Sequence, residues 1–289
     1  MKCAQASLLA DGRRLHLHHG PIDLIVEASG AGRTDAYVRA TKRFESILNE
    51  LVAELPMLRM RAQKGAVFSG AVARRMQQAV EPYCDKFVTP MIAVAGAVAD
   101  EILEQIQQSP DLEKAYVNNG GDVAFYLVDG QHVSAAIAAL PGGRITLDSS
   151  SSYRGIATSG WSGRSYSLGI ADSVSVVAKD AASADVAATM IANAVNLPNH
   201  PHVTRVPAVV LSPDSDLGDL DVTTYVGDLS DDEIRSALHN GSGIAQACVN
   251  QNLIGGAILQ LKQEYRQIGV PVIQQVCSKP IPEQELSYA

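Results

Sequence analysis

The residues best suited to chemistry lie in a glycine-rich turn and at the start of an alanine-rich segment about sixty residues later. The turn consists of Asn118, Asn119, Gly120, Gly121 and Asp122. Two adjacent glycines allow positive φ angles and let backbone N–H groups approach a ligand closely. The same pattern is typical of a hairpin turn closed by Asx hydrogen bonds, and turn statistics alone favour that structural interpretation.

The second motif is formed by Asp185 and Thr189, which are four residues apart at the start of a predicted helix. Their oxygen atoms therefore project from one face of that helix. A carboxylate with a hydroxyl is a pair of hard oxygen donors that suits Mg²⁺, an ion that keeps several waters and bridges to substrate phosphates. The structural alternative is that Asp185 caps the helix and the Thr189 hydroxyl donates to a backbone carbonyl.

A polar, glycine-rich loop lies between these two motifs. It contains Thr158, Ser159 and Gly160 and continues to Arg164. Small hydroxyl residues followed by an arginine can hold a phosphate or a carboxylate. The loop lacks the G-x-S-x-G spacing of a nucleophile elbow. We therefore interpret it as a binding loop rather than as the source of a nucleophile.

Histidine pairs and an acidic run are weaker candidates. His16 with His18, and His200 with His202, have the residue type of a metal site, but no carboxylate or cysteine near them in sequence completes a ligand set. We interpret them as surface histidines. The four aspartates between residues 214 and 221 lack the glycine and the closing glutamate of a calcium loop, which indicates a solvated acidic loop.

Composition limits the class of protein and its partners. With 289 residues, of which 46% are hydrophobic and 19% charged, the chain is typical of a globular protein with a substantial core. A net charge of −8 and an aromatic content of 5% argue against a nucleic-acid partner or an anionic membrane. The four cysteines form no CxxC pair, and no apolar run has the length of a signal peptide or a membrane span. We therefore expect a cytoplasmic protein.

Hydrophobic periodicity predicts the elements that position the motifs. Helical spacing is found over residues 34–55, 69–80, 91–108, 183–194, 231–239 and 242–266. β-rich runs are found over residues 22–28, 123–128, 144–147, 173–178 and 270–273. Pro56 is expected to end the first helix, Gly96 to allow close packing, and Asp129 with Gly130 to close a hairpin. The order of these elements predicts an α+β fold.

Taken in order, the motifs resemble those of the ApbE superfamily, whose best-known members are Mg²⁺-dependent FAD:protein FMN transferases. The family's N-x-G-G-D turn is matched at residues 118–122 and its A-T-S-G strand end at residues 157–160. Its A-D-A-x-x-T helix start is matched by Asp185 and Thr189. The resemblance covers most of the chain and implies one domain over residues 1–289, or two packed subdomains divided near residues 140–155, with helices on a mostly antiparallel central sheet.

The resemblance also implies roles for the motif residues. Asp185 and Thr189 would bind Mg²⁺, and the two glycine-containing segments with Arg164 would hold FAD, FMN or another anionic small molecule. Two departures stand out: Ala95 occupies the position of a transferase lysine, and residues 162–169 lack the family's H-I-I-D-P-x-T-G loop. Both remove groups that flavin transfer would use.

Two hypotheses of function follow. The first is a Mg²⁺-assisted enzyme, related to flavin transferases, that acts on a flavin, a nucleotide or another anionic small molecule. The second is a non-catalytic ligand-binding or assembly protein built on the same scaffold. In either case the base rate among soluble proteins favours a homo-oligomer, most often a dimer.

Overall fold

The computed structural model describes residues 3–136, 143–163, 165–269 and 273–275. The strands in these ranges are β1 (Gln5–Leu8), β2 (Leu15–His19), β3 (Ile22–Gly30), β4 (Leu112–Asn119), β5 (Asp122–Leu127), β6 (His132–Ala136), β7 (Gly143–Asp148), β8 (Gly155–Ser159), β9 (Ser173–Ala178), β10 (Val203–Pro207), β11 (Asp221–Val226), β12 (Gly256–Leu261), β13 (Glu264–Gly269) and β14 (Ile273–Gln275). The helices are α1 (Arg33–Leu58), α2 (Ala71–Val80), α3 (Val94–Gln107), α4 (Ala181–Ala194), α5 (Ala208–Leu211) and α6 (Asp231–Asn250).

Nine of the described strands form one sheet in the order β1-β2-β3-β4-β5-β8-β9-β12-β13. Each neighbouring pair in this sheet is antiparallel. All six residues of β9 are buried, because other elements cover both faces of the sheet there. The predicted α+β fold, with helices packed on an antiparallel sheet, is confirmed.

The helices cover one face of this sheet. Helix α1 places a buried stripe that includes Ala36, Ala40, Phe44 and Ile47 towards β2, β3 and α3. This spacing of three and four residues puts apolar side chains on one side of a helix. Helix α3 packs on β4 and β5, α4 packs on β8 and β9, and α6 packs on α4, β12 and β13. In the described part of the chain, no helix combines the length and the apolar character needed to cross a membrane.

A second, three-stranded sheet in the order β14-β7-β6 covers the opposite face. Its Ile145 and Leu147 pack against Phe125 and Ile156 in a separate small core. The chain turns at Asp129 and Gly130 as expected, but the predicted hairpin does not form. Both edges of β5 are already bonded, to β4 and to β8, so β6 leaves the main sheet and pairs with β7.

Two helix boundaries differ from the prediction. Helix α1 continues past Pro56 because Leu58 is fully buried and the Arg59 N–H donates to the Leu55 carbonyl. A single helix, α6, spans the two predicted helices as far as Asn250, and the apolar residues after it form the β12–β13 hairpin instead. Short apolar runs suit a buried strand as well as a helix, so pairing with β9 decides between them. Of the final predicted strand, residues 270–272 lie outside the described residues.

Helices α3 and α4 each cap the first turn of the other. Oδ2 of Asp185, on α4, accepts a hydrogen bond of 3.1 Å from the N–H of Gly96 in α3. In return, the carboxylate of Asp100, on α3, accepts hydrogen bonds of 3.0 and 2.9 Å from the N–H groups of Ala181 and Ala182 in α4. The first N–H groups of a helix have no partner within the helix, and a carboxylate at that end is favourable. Each helix therefore stabilises the start of the other.

Gly96 allows the two helices to come this close. A Cβ atom at this position would lie 2.3 Å from the carbonyl oxygen of Ala181. That oxygen belongs to the backbone, so rotation of a side chain cannot relieve the overlap. The predicted close packing at Gly96 is confirmed.

We expect Gly96→Ala to lower the free energy of unfolding by about 1–3 kcal/mol, because the added methyl group forces α3 away from α4. Thermal or urea unfolding measures this change. The matched control is Gly243→Ala in α6, where nothing lies within 4 Å of the added Cβ. That variant should be unchanged or up to about 1 kcal/mol more stable, since alanine is the better helix former. Equal effects of the two substitutions would contradict the close contact.

Candidate functional site

A cavity of about 1140 Å³ lies at the end of β4 and β5. The motif residues that line it are Asn118, Asn119, Gly120, Gly121, Asp122, Thr158, Ser159, Gly160, Asp185 and Thr189. They meet because β8 pairs with β5 beside the turn, and α4 packs on β8. The structure therefore brings together every predicted site residue except Arg164, which lies outside the described residues.

The turn between β4 and β5 depends on its glycines and asparagines. Gly120 and Gly121 have φ angles of 67° and 119°, values that favour glycine. Oδ1 of Asn118 accepts a hydrogen bond of 2.9 Å from the N–H of Gly121, which is the Asx closure considered from the sequence. Nδ2 of Asn119 donates to the carbonyl of Ala95 at 3.1 Å and so ties the turn to α3. Both asparagines thus hold the turn in place while they line the cavity.

The end of β8 is fixed to this turn. The N–H of Thr158 donates to Oδ1 of Asp122 at 3.3 Å, and the Thr158 hydroxyl lies 2.8 Å from that of Ser175. Gly160 follows, where a Cβ would lie 2.3 Å from the carbonyl oxygen of Asp172. The N–H group and the hydroxyl of Thr158 are therefore both engaged in hydrogen bonds. The Ser159 hydroxyl, in contrast, makes no hydrogen bond within the described residues.

Asp122 and Asp185 place two carboxylates in the cavity wall. Burial raises the pKa of Asp122 to about 7, against a lowering effect of its hydrogen bond from Thr158. Burial, followed by the nearby charge of Asp122, raises the pKa of Asp185 well above its ordinary value. The hydrogen bond from the N–H of Gly96 opposes this rise. A bound cation would favour the ionised form of both groups.

Asp185 is not the cap of its own helix. The carboxylate of Asp180 accepts a hydrogen bond of 2.7 Å from the N–H of Ser183 and caps α4. Asp185 instead caps α3, which has no side-chain cap of its own. The structural alternative considered from the sequence is therefore correct in kind for Asp185, although it concerns a different helix. It is wrong for Thr189, whose hydroxyl makes no hydrogen bond among the described residues.

The chemistry of the donors suits Mg²⁺. The carboxylates of Asp122 and Asp185 and the hydroxyl of Thr189 are hard oxygen ligands, and Mg²⁺ is commonly held by one or two carboxylates with waters and substrate oxygens. In the part of the chain that the structure describes, no three His, Cys, Asp or Glu side chains form a ready metal site. The donor set thus fits Mg²⁺ and lacks the nitrogen and sulfur ligands typical of zinc.

Sequence reasoning missed most of the cavity wall. The apolar lining comes from α1, α3 and the second sheet: Leu48, Leu51, Leu55, Leu58, Val94, Val98, Ala135 and Ile145. Such residues are typical of the core on any amphipathic helix or strand, so no signal in the sequence separates them. Arg59 also lines the cavity, directly after α1.

A smaller cavity of about 340 Å³ shares Asp122, Asp185 and Thr189 with the large one. Its polar lining comes from several loops and helices: Thr89, Ser165, Tyr166, Asn193, Ser212, Ser215 and Asp216. Ala95 lines both cavities and contributes only a methyl group to them. The candidate metal ligands therefore lie where the two cavities meet.

The other candidates from the sequence lie apart from these cavities or serve the fold. His16 bonds to Asp23 at 3.0 Å between β2 and β3. The side chain of His200 is only 13% exposed and bonds to Glu233 at 2.8 Å, so its interpretation as a surface histidine is wrong. Within the acidic run, Asp216 accepts a hydrogen bond from the Thr89 hydroxyl in the wall of the smaller cavity and is not merely solvated.

Comparison with known proteins gives relatives that each match part of the chain. A UPF0280 protein of Methanopyrus kandleri is 34% identical over 183 residues, which cover 59% of this chain and 69% of the relative. UPF0280 proteins of Methanothrix thermoacetophila and Methanobrevibacter smithii are 35% identical over 111 residues and 38% identical over 128 residues. These matches cover 37% and 42% of this chain. The chain spans about half the length of these two relatives, 46% and 51%.

Two solved structures can be superposed on most of this chain. One is a mutant of the flavin transferase ApbE from Vibrio cholerae, with a TM-score of 0.46 and 11% identity over 91% of this chain and 95% of that one. The other is the apo form of the flavinyl transferase ApbE of Pseudomonas stutzeri, with a TM-score of 0.47 and 11% identity over 94% of this chain and 96% of that one.

A family model described as AbpE bacteria matches residues 6–268. This match extends from β1 to β13 and includes every motif residue that lines the two cavities. It confirms the resemblance that the ordered motifs indicated. The chain belongs to the AbpE bacteria family.

Proposed function

We propose that this chain is a Mg²⁺-assisted enzyme, of the transferase type, that acts on an anionic small molecule such as a flavin or nucleotide. One observation carries the proposal: the buried carboxylate of Asp122, the half-buried carboxylate of Asp185 and a threonine hydroxyl share a cavity wall with the Gly120–Gly121 turn and the end of β8. Each motif alone has a structural explanation. Their convergence on one cavity of ligand size supports a site.

Asp185, Thr189 and Asp122 would hold the ion, which when bound supplies charge neutralisation at a phosphate oxygen. Other residues of the chain would bind and orient the rest of the ligand. The open space beside Gly121, where nothing lies within 4 Å of a Cβ position, lets the backbone approach a ligand closely. The Ser159 hydroxyl can orient a polar group, and the apolar residues of α1 and α3 exclude water from the rest of the ligand.

The second candidate is a non-catalytic ligand-binding or assembly protein. The reciprocal capping of α3 and α4 favours this second candidate, because the structural roles of Asp185 and Asp100 explain their presence without any metal. Under this alternative, ligand binding is independent of the Asp185 charge. The two candidates therefore differ in what an Asp185 variant does.

The first prediction concerns Mg²⁺. At one hundred times its Kd, Mg²⁺ should stabilise the chain by about 2.7 kcal/mol, or roughly 4–5 °C in Tm, because it binds only the folded state. Asp185→Asn and Thr189→Val should each lose most of this shift in thermal unfolding. Asp111→Asn is the matched control, since Asp111 is exposed and its φ of 54° also suits asparagine. A full shift in Asp185→Asn would contradict the assigned ligands.

The second prediction is the pH dependence of this shift. Without metal, the folded chain holds protons on Asp122 and Asp185 that the unfolded chain has released above pH 4, so the free energy of unfolding should fall as pH rises from about 5 to 8. Mg²⁺ competes with those protons, so its effect on Tm should be larger at pH 8 than at pH 6. Thermal unfolding at both pH values, with Mg²⁺ and with EDTA, measures this difference. An equal Mg²⁺ shift at the two values would contradict it.

The third prediction separates catalysis from binding. The protein is incubated with FAD and Mg²⁺, and the mixture is analysed by chromatography and mass spectrometry for cleaved or transferred product. We expect turnover that Asp185→Ala reduces at least about a hundredfold, because a metal ligand is lost. FAD binding without product in the wild type, with unchanged affinity in Asp185→Ala, would instead support the non-catalytic candidate.

A further inference from the structure

Arg59 is held at a defined place in the wall of the large cavity. It follows the last residue of α1, and its backbone N–H donates a 3.0 Å hydrogen bond to the carbonyl of Leu55. The preceding residue, Leu58, is fully buried in the main core. The end of α1 is therefore fixed, and the Arg59 side chain begins from a rigid backbone.

The guanidinium of Arg59 has no partner among the described residues. Its side chain makes no hydrogen bond and no ion pair there, whereas Arg43 and Arg75 both bind Glu101. Among the described residues that line the two cavities, Arg59 is also the only basic one. Arg59 thus brings five N–H donors in a planar fork to the cavity wall, and none of them has a partner among the described residues.

The face of α1 that leads to Arg59 is apolar. Leu48, Leu51 and Leu55 precede Arg59 at intervals of three and four residues and line the same cavity. Residues at this spacing lie on one side of a helix. A ligand on this face therefore meets a row of leucine side chains that ends in a positive charge.

We infer that the large cavity selects an amphiphilic anion, with its apolar body on the leucine row and one anionic group on Arg59. A guanidinium binds carboxylate, phosphate or sulfonate oxygens in pairs, which gives it both affinity and orientation for such groups. A volume of about 1140 Å³ accommodates a body of several rings or a chain of comparable size. The inference deepens the proposed function, since it names the class of ligand for the same cavity, but it needs no metal.

Two fluorescent probes with the same aromatic body test this assignment. 1-Anilinonaphthalene-8-sulfonate carries one anionic group, and N-phenyl-1-naphthylamine is its uncharged counterpart. Both are titrated into the folded wild-type protein and into Arg59→Gln, Arg59→Lys and Arg61→Gln. Arg61 is the matched control because it is exposed, lies two residues further on and lines neither cavity.

We expect Arg59→Gln to weaken binding of the sulfonate about tenfold or more, because a charged hydrogen bond is lost, and to leave the uncharged probe unchanged. Arg59→Lys should lie between, since it keeps the charge and loses the paired geometry. Arg61→Gln should match the wild type for both probes. The inference is overturned if the wild type does not bind the sulfonate, if Arg59→Gln binds it as well as the wild type does, or if Arg61→Gln loses as much affinity.

The same titrations in EDTA separate this inference from the metal site. The Arg59 effect should persist without Mg²⁺ and in Asp185→Asn. An Arg59 effect with no Mg²⁺ shift in wild-type Tm would support the ligand class and refute the metal. A Mg²⁺ shift in wild-type Tm with no Arg59 effect would support the metal site and refute the ligand class.

Discussion

The crossing of α3 and α4 at Gly96 is the contact on which the candidate site depends. The backbone of Gly96 lies against the carbonyl of Ala181 with no room for a side chain, and each helix supplies a carboxylate to the first turn of the other. These bonds bring Asp185 to the same wall as Asp122 at the end of β5. If the two helices moved apart, both helix starts would lose a cap and the two carboxylates would separate.

This arrangement leaves buried negative charge that the protein stabilises only in part. Burial raises the pKa of Asp100 to about 7, despite its hydrogen bonds from Ala181 and Ala182. Asp122 and Asp185 are raised by burial as well, and Asp122 adds its charge to Asp185. Three such carboxylates lower the stability of the folded state at neutral pH. Carboxylates with perturbed pKa values often occur at functional sites, and two of these three, Asp122 and Asp185, line the large cavity.

Several residues therefore have a structural role and line the site at the same time. Asn118 closes the β4–β5 turn, Asn119 ties that turn to α3, and Asp185 caps α3. A structural motif and a ligand site would therefore use the same residue types here. The sequence pattern alone does not distinguish one from the other. Arg59 differs from the two asparagines and Asp185 in that it has no structural partner among the described residues. For that reason it points to a ligand more directly than these three residues do.

The sequence by itself determined the α+β class, the glycine turn, the start of α4 and the family, because these depend on local patterns of glycine, aspartate and hydrophobic spacing. It also indicated the close packing at Gly96. Only the tertiary structure decided that β6 leaves β5, that the segment after Asn250 forms strands, and that Asp185 caps α3 rather than α4. The physical reason is the same in each case: the deciding hydrogen bonds join residues far apart in the chain, and no local pattern encodes which partner is available. The leucine row that ends at Arg59 became a cavity wall for the same reason, since only packing shows that nothing fills the space beside it.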